Sequence, residues 1–445
     1  MNKTQQWTSK IGFVLAAAGA AIGLGAIWKF PYVAGQGGGG AFFIVFLLLT
    51  LLIGLPLLLA EFLIGRSTQK EAISAYQELV PHSKLYPWIG RIGVVTSFIV
   101  LSFYSVVGGW ILLYLYYSIT GGLWKGQYDV LFGQTISNPY AAVGTQFIFI
   151  MITIYIVSRG IQNGIEKVNK YMMPALFMLF LLLIGRSLTL DGAMQGVEFF
   201  LKPDFSKLTS ETILYAMGQS FFSLTVGASV MVTYSSYLPK KESLTKSAVS
   251  IVSLTIFITV LAGLAIFPAV FALGMKPTEG PGLLFIVLPS VFESLTFGHF
   301  FFITFLVLFF FATITSAVSM LEIIVASKAK DDVAKRPKLA LYIGLAIFAA
   351  GVPSAVSFGV MSDVRLFGKT VFDLADYIVS NILLPLGVFC IALFAPYKIP
   401  KTKLLEELSI GTKYGKQWFI VWFFLIRYIV PVTVLIVFLN VIGVI

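Results

Sequence analysis

The chain has 445 residues, of which 58% are hydrophobic and only 11% charged. A soluble protein carries roughly 25% charged residues, so the composition excludes a water-soluble domain and points to a protein embedded in a lipid bilayer. The net charge of +11 is spread over alternate polar connections, which fits a membrane surface and argues against a nucleic-acid partner.

A span needs about 20 apolar residues. On that measure eleven segments qualify, at roughly 11–33, 40–64, 88–118, 141–158, 170–189, 213–238, 247–273, 299–327, 338–358, 371–396 and 416–443. The first run is too long and too rich in glycine for a cleavable signal. Placing the N-terminus in the cytoplasm puts most of the 31 Lys and Arg residues on the inner side. With eleven spans the C-terminus is then outside, in the plasma membrane. The outer connections 190–212 and 274–298 are long and mixed, and are expected to hold short surface or re-entrant helices. Cys390 lies in an apolar segment and has no partner for a disulfide within the chain. His82 and His299 form no metal-ligand cluster.

The first span cannot be a regular helix. Gly19, Gly23 and Gly25 fall in its middle, followed by Lys29 and Pro31. An interior glycine costs about 1 kcal/mol relative to alanine and an interior proline about 3. Irregular backbone inside a bilayer is tolerated only where protein buries it or where it lines a cavity. The sequence therefore predicts a broken helix whose freed carbonyls and amides face a binding site. The sixth span repeats the feature, with Gly218, Ser223, Thr225, Gly227 and Ser229 in its interior. Paired interruptions five spans apart mark an inverted-repeat transporter with its site at the midplane. The alternative reading of such small residues is close helix packing.

The stretches GLGAIWKFPYVAGQGGGGAF (23–42), PLLLAEFLIGR (56–66), RGIQNGIEK (159–167), GQSFFSLTVG (218–227) and FATITSAVSMLE (311–322) resemble the neurotransmitter:sodium symporters, which have the leucine-transporter fold. The resemblance runs over nearly the whole chain, and eleven spans is similar to the family's bacterial branch. It implies an all-α polytopic membrane protein with two inverted five-helix repeats, residues 11–189 and 213–396. Each repeat opens on a broken helix, and an eleventh helix, 416–443, completes a single transporter domain, 1–445.

The resemblance also implies the site residues. The second sodium site of the family maps onto the carbonyls of Gly19, Ile22 and Ala312 and the hydroxyls of Thr315 and Ser316, although such hydroxyls also bond back to the preceding helical turn. The first sodium site departs from the pattern. Ala21 keeps a carbonyl and Ser223 a hydroxyl, but Ala26 stands where a side-chain oxygen is usual, and Thr255 stands where Asn or Asp is usual. One sodium ion is the expectation, with proton coupling as the alternative. The substrate pocket maps onto Ala20, Ala21, Gly23, Gly25, Val100, Tyr104, Phe222, Ser223, Thr225, Ala228, Ser316 and Met320, with Phe222 as an aromatic lid.

Lys29 and Asp376 resemble the external gate, an ion pair over the substrate. Lys3 with Asp331 and Asp332 is the corresponding inner gate. Gly164 and Pro174 resemble the unwinding motif of span five. Two acids, Glu61 and Glu322, lie inside spans, where an acid is functional by default. The resemblance implies that Glu61 satisfies the unwound amides, whereas the role of Glu322 stays open.

The half-helix ends of spans one and six supply opposite poles, which match the carboxylate and ammonium of an α-amino acid. The pocket carries no charge, and Ala228 removes bulk, so the expected substrate is a neutral hydrophobic or aromatic amino acid. Sodium-coupled uptake by alternating access is the leading reading; a ligand sensor of the same fold is the rival. No nucleophile–base pair or metal constellation points to an enzyme, and no cofactor is expected beyond the coupling ion.

Overall fold

The computed structural model describes residues 5–23, 25–124, 126–274, 282–293, 295–330 and 332–441. Among them, nine helices are long and apolar enough to cross a membrane. They are Gly40–Thr68 (span 2), Pro87–Thr120 (span 3), Pro139–Ser158 (span 4), Ile161–Leu188 (span 5) and Leu244–Ala272 (span 7). Gly298–Ala329 (span 8), Val333–Ala355 (span 9), Val371–Lys398 (span 10) and Gly415–Asn440 (span 11) complete the set. Lys10–Ile22 (span 1a) and Gly25–Gln36 (span 1b) meet at a bend of 49°. The sixth crossing is also in two pieces, Ser210–Leu224 (span 6a) and Val230–Ser236 (span 6b).

Local chemistry sets the ends of these helices. Ser9 caps span 1a, its hydroxyl accepting from the Gly12 amide at 3.0 Å. Asn138 caps span 4 by accepting from Tyr140 and Ala141, with Pro139 in the first turn. Span 3 stops at Gly121, whose φ of +78° a side chain would resist. The connection after span 5 forms a short helix, Ala193–Leu201, and a 3₁₀ turn, Phe205–Lys207. The described part of the segment before span 8 holds the apolar helix Leu283–Glu293.

The break in span 6 lies at Thr225–Ser229, later than Gly218 and Ser223, which stay inside the 6a helix. Thr225, Gly227 and Ser229 have φ of +53°, +91° and +55°. Left-handed backbone at Thr and Ser costs of order 1–3 kcal/mol and persists only where its surroundings hold it. Here the holder is Glu61, fully buried on span 2. Its Oε1 accepts from the Gly227 amide at 2.7 Å, and its Oε2 from Met231 and Val232 at 3.2 and 3.3 Å. The carboxylate thus sits at the N-terminus of span 6b, where the helix dipole also favours it. One turn further along span 2, Gly65 lies so close to span 6b that a Cβ there would overlap the Val232 carbonyl.

Replacing Glu61 with Ala leaves three buried amides without an acceptor, at about 1–3 kcal/mol each. The thermal midpoint of the detergent-purified protein should fall sharply, and Glu61→Gln, which keeps one acceptor oxygen, should lose less. An unchanged midpoint for Glu61→Ala would mean that the break is held by something else.

Candidate functional site

The two breaks face each other across a small cavity of about 30 Å³. Of the residues expected to hold substrate, Ala20, Ala21, Gly23, Gly25, Val100, Tyr104, Phe222, Thr225, Ala228, Ser316 and Met320 line it. Ser223 is not among the lining residues; its hydroxyl accepts from Gln219 Nε2 at 3.0 Å. Ser97, Val230 and Leu384 line the cavity as well, and sequence reasoning missed them. Ser97 could have been found, since it lies one turn from Val100 on the same face of span 3. Leu384 follows a π-helical turn in span 10 and carries no such signal. The Thr225 hydroxyl donates to the Ala20 carbonyl at 3.0 Å, joining the two breaks directly. Gly23 is where the walls come closest, since a Cβ there would strike Ser316 Oγ and the Tyr104 hydroxyl.

Beside this cavity is a cluster of oxygens. The Gly19 carbonyl accepts from Thr315 Oγ1 at 3.1 Å and from Ser316 Oγ at 3.0 Å. Thr315 Oγ1 also lies 3.0 Å from the Ala312 carbonyl, and Ser316 Oγ 3.0 Å from the Ala20 carbonyl. Bonding back to the preceding turn is therefore present (Thr315 to Phe311, 3.0 Å) and coexists with the contacts to span 1a. Ile22 is the last residue of span 1a and is fully buried. Thr315 and Ser316 are each 1% exposed, so water does not compete for these oxygens.

At the other expected ion position, Ala26 is buried and contributes no side-chain oxygen. Gln219, which sequence reasoning also missed, occupies this corner. Its Nε2 donates to the Gly25 carbonyl at 2.7 Å as well as to Ser223. Its Oε1 and the Thr255 hydroxyl are buried without hydrogen-bond partners among the described residues.

The outer gate differs from expectation. Lys29 and Asp376 form no ion pair; Ser380 stands between them, its Oγ 3.4 Å from Lys29 Nζ and 3.0 Å from Asp376 Oδ1. The Lys29 ammonium lies over the Phe222 ring, 4.8 Å from its centroid. A single ammonium lacks the span of a guanidinium fork, and the aromatic face holds it short of the carboxylate. Outside Phe222 is a vestibule of about 190 Å³ that Lys29, Tyr104, Phe372 and Asp376 share. Phe222 lines both this vestibule and the inner cavity, which is the position of a lid.

Of the expected inner gate, Lys3 and Asp331 lie outside the described residues. Asp332 pairs with Lys335 at 2.9 Å, and their hydrogen bond holds the Asp332 carboxyl below the usual carboxylate range. A different polar cluster lies nearby among the described residues. Glu322 is fully buried, forms an ion pair with Arg336 and accepts from the Tyr237 hydroxyl at 2.7 Å. Trp7 lies against the same corner, its amide donating to the Tyr237 carbonyl and its Nε1 to the Tyr234 carbonyl. Sequence alone left Glu322 without a role because Arg336 is 14 residues away, past the end of span 8.

A bundle that holds a lidded cavity and an oxygen cluster between two discontinuous helices has the construction of inverted-repeat secondary transporters. Comparison with known proteins makes this specific. Residues 4–134 and 132–445 match the Sodium:neurotransmitter symporter family, and the chain belongs to that family. It is 57% identical, over all of its length and 99% of the relative, to an uncharacterized sodium-dependent transporter, YhdH, of Bacillus subtilis. It is 35% identical to an uncharacterized sodium-dependent transporter of Haemophilus influenzae, covering 99% of this chain and 98% of the relative. The crystal structure of MhsT in complex with L-phenylalanine superposes with a TM-score of 0.90 at 41% identity, covering 98% of this chain and 99% of that one. The fold is thus the leucine-transporter fold with its two inverted repeats, in a multi-pass membrane transporter.

The close approach at Gly23 can be checked by contrast with Gly218, which has nothing within 4 Å of its Cβ position. Gly23→Ala should destabilise the purified protein by about 1–3 kcal/mol through overpacking. Gly218→Ala, in a helix interior, should stabilise it by up to about 1 kcal/mol. Thermal unfolding in detergent reads both. Equal effects from the two changes would refute the crowding at Gly23.

Proposed function

We propose that the chain is a symporter that couples the inward movement of one sodium ion to uptake of a neutral hydrophobic or aromatic amino acid. The observation that carries the reading is the cluster in which Thr315 and Ser316 meet the Gly19 carbonyl, immediately beside the cavity under Phe222. Oxygens of this kind suit a hard cation. Its arrival turns both hydroxyl hydrogens away and fixes span 8 against the break in span 1.

The amino acid lies between the two breaks. Its carboxylate meets the N-terminal end of span 1b near Gly25 and the Tyr104 hydroxyl, and its ammonium meets the C-terminal end of span 6a. No charged side chain lines the cavity, which supports a neutral substrate, and the L-phenylalanine in the related MhsT structure is of the same class. Phe222 and the Lys29–Ser380–Asp376 bridge close above it. Exit to the cytoplasm needs the Glu322–Arg336–Tyr237 cluster and the Trp7 contacts to part.

Two observations support a single sodium. Ala26 brings no side-chain oxygen, and Gln219 Nε2, a donor, already uses the Gly25 carbonyl and the Ser223 hydroxyl. That leaves only Gln219 Oε1 and the Thr255 hydroxyl as unpartnered side-chain oxygens at that corner among the described residues. Sodium is favoured over the proton because the acids buried in the described spans are committed, Glu61 to three amides, Glu322 to Arg336 and Glu166 to the Thr8 amide. The family and the names of the relatives point the same way. In this reading residues 1–445 act as one transport unit with repeats 11–189 and 213–396. The N-terminus is cytoplasmic and the C-terminus outside, as the basic connections indicate.

Reconstituted vesicles provide the test. An inward sodium gradient should drive accumulation of labelled phenylalanine, and Thr315→Ala and Ser316→Ala should each lower the apparent sodium affinity by roughly tenfold or more. Uptake driven only by a proton gradient would overturn the sodium assignment. Ala26→Asn should strengthen sodium binding or add a second ion per substrate. If the wild type already moves two sodium ions per substrate, the one-site reading fails.

A further inference from the structure

Span 5 contains a polar group that the transport reading leaves unused. Asn169 is fully buried between Gly164 and Pro174. Its Nδ2 donates to the Ile165 carbonyl at 2.9 Å, while its Oδ1 has no hydrogen-bond partner among the described residues. That oxygen faces span 1a, because a Cβ built on Gly19 would overlap it, with the Thr315 Cβ only 3.2 Å from the same point. Gly19 is the residue whose carbonyl receives both the Thr315 and the Ser316 hydroxyls. A buried amide oxygen without a donor is costly and calls for an explanation. The absence of a side chain at Gly19 is what lets this one come up against span 1a beside Thr315.

We infer that Asn169 supplies a sixth oxygen to the cation bound by Gly19, Ile22, Ala312, Thr315 and Ser316, and that through it ion occupancy controls span 5. The inference rests on the sodium reading of that cluster. An amide oxygen is a hard, neutral ligand, so it adds affinity without adding charge to an apolar surrounding. The other ligands come from spans 1 and 8, and Asn169 alone brings span 5 to the ion.

The position of Asn169 in span 5 gives the contact its consequence. The span opens on a π-helical turn, Ile161–Glu166, after Gly160 at φ +78°. Further on, Pro174 has no amide hydrogen, so the Lys170 carbonyl loses its helical partner. Asn169 lies between these two weak points and is tethered to Ile165 within the π turn. The same turn carries the N-terminal segment: the Ile161 amide donates to Gln5, and Glu166 accepts from the Thr8 amide at 2.9 Å. A bound cation holds the Asn169 oxygen toward span 1 and keeps this stretch of helix closed. Loss of the ion frees the oxygen, and with it the segment 161–174 and the N-terminal contacts that rest on it.

The experiment compares wild type, Asn169→Leu, Asn169→Asp and Thr315→Ala as full-length protein in detergent. Equilibrium binding of radioactive sodium is measured without amino acid, together with hydrogen exchange of residues 161–174 with and without sodium. Asn169→Leu, similar in volume but lacking the oxygen, should bind sodium roughly tenfold more weakly and lose the sodium-dependent protection of 161–174. Asn169→Asp, which keeps an oxygen at that position, should retain both. If Thr315→Ala weakens binding while Asn169→Leu matches wild type in affinity and protection, the role of Asn169 is refuted and the sodium site stands. If Thr315→Ala also binds like wild type, the sodium site itself is misassigned. Equal loss in Asn169→Leu and Asn169→Asp would make Asn169 a packing residue and overturn the inference.

Discussion

Everything in this transporter depends on one constraint: backbone that leaves the helical path inside a bilayer finds no water to bond. Span 6 departs from the helix over Thr225–Ser229, and the carboxylate of Glu61 takes up the amides of Gly227, Met231 and Val232. The cost of burying that acid is repaid by three directed hydrogen bonds and a helix N-terminus. With the break secured, the Thr225 hydroxyl reaches the Ala20 carbonyl, and the two discontinuous helices become one surface. The cavity and the oxygen cluster are both parts of that surface.

In the proposed reading the ion and substrate positions share the same segments, so occupancy of one would act on the other with little intervening structure. Ser316 both lines the cavity and donates to the Gly19 and Ala20 carbonyls. Tyr104 and Ser316 both crowd against Gly23. In that reading a change of a few tenths of an ångström at the oxygen cluster would be felt by the cavity wall, since packed interiors deform little. The coupling between cargo and ion is therefore expected to be local, and the larger motions belong to the gates.

The two gates use different physics. Outside, Lys29 rests on the face of Phe222 and reaches Asp376 only through Ser380, a loose arrangement of exchangeable polar contacts over a vestibule. Inside, Glu322 and Arg336 form a buried ion pair that Tyr237 completes. Neither charge is left unpaired while the contact holds, and parting the two side chains requires water to reach both.

The placement of most of the spans, the breaks in the first and sixth, and most of the cavity lining were legible in the chain. Each follows from rules that act over short distances: twenty apolar residues cross a bilayer, glycines in a helix interior release it, and residues one turn apart share a face. What the sequence could not determine is which distant groups meet. Ser380 between Lys29 and Asp376, Gln219 on the Gly25 carbonyl, Arg336 beside Glu322 and the Asn169 oxygen against Gly19 all join residues far apart in the chain or on different helices. Those pairings are decided by how the helices pack, because in a closed bundle a buried polar group takes the partner that tertiary structure brings within reach.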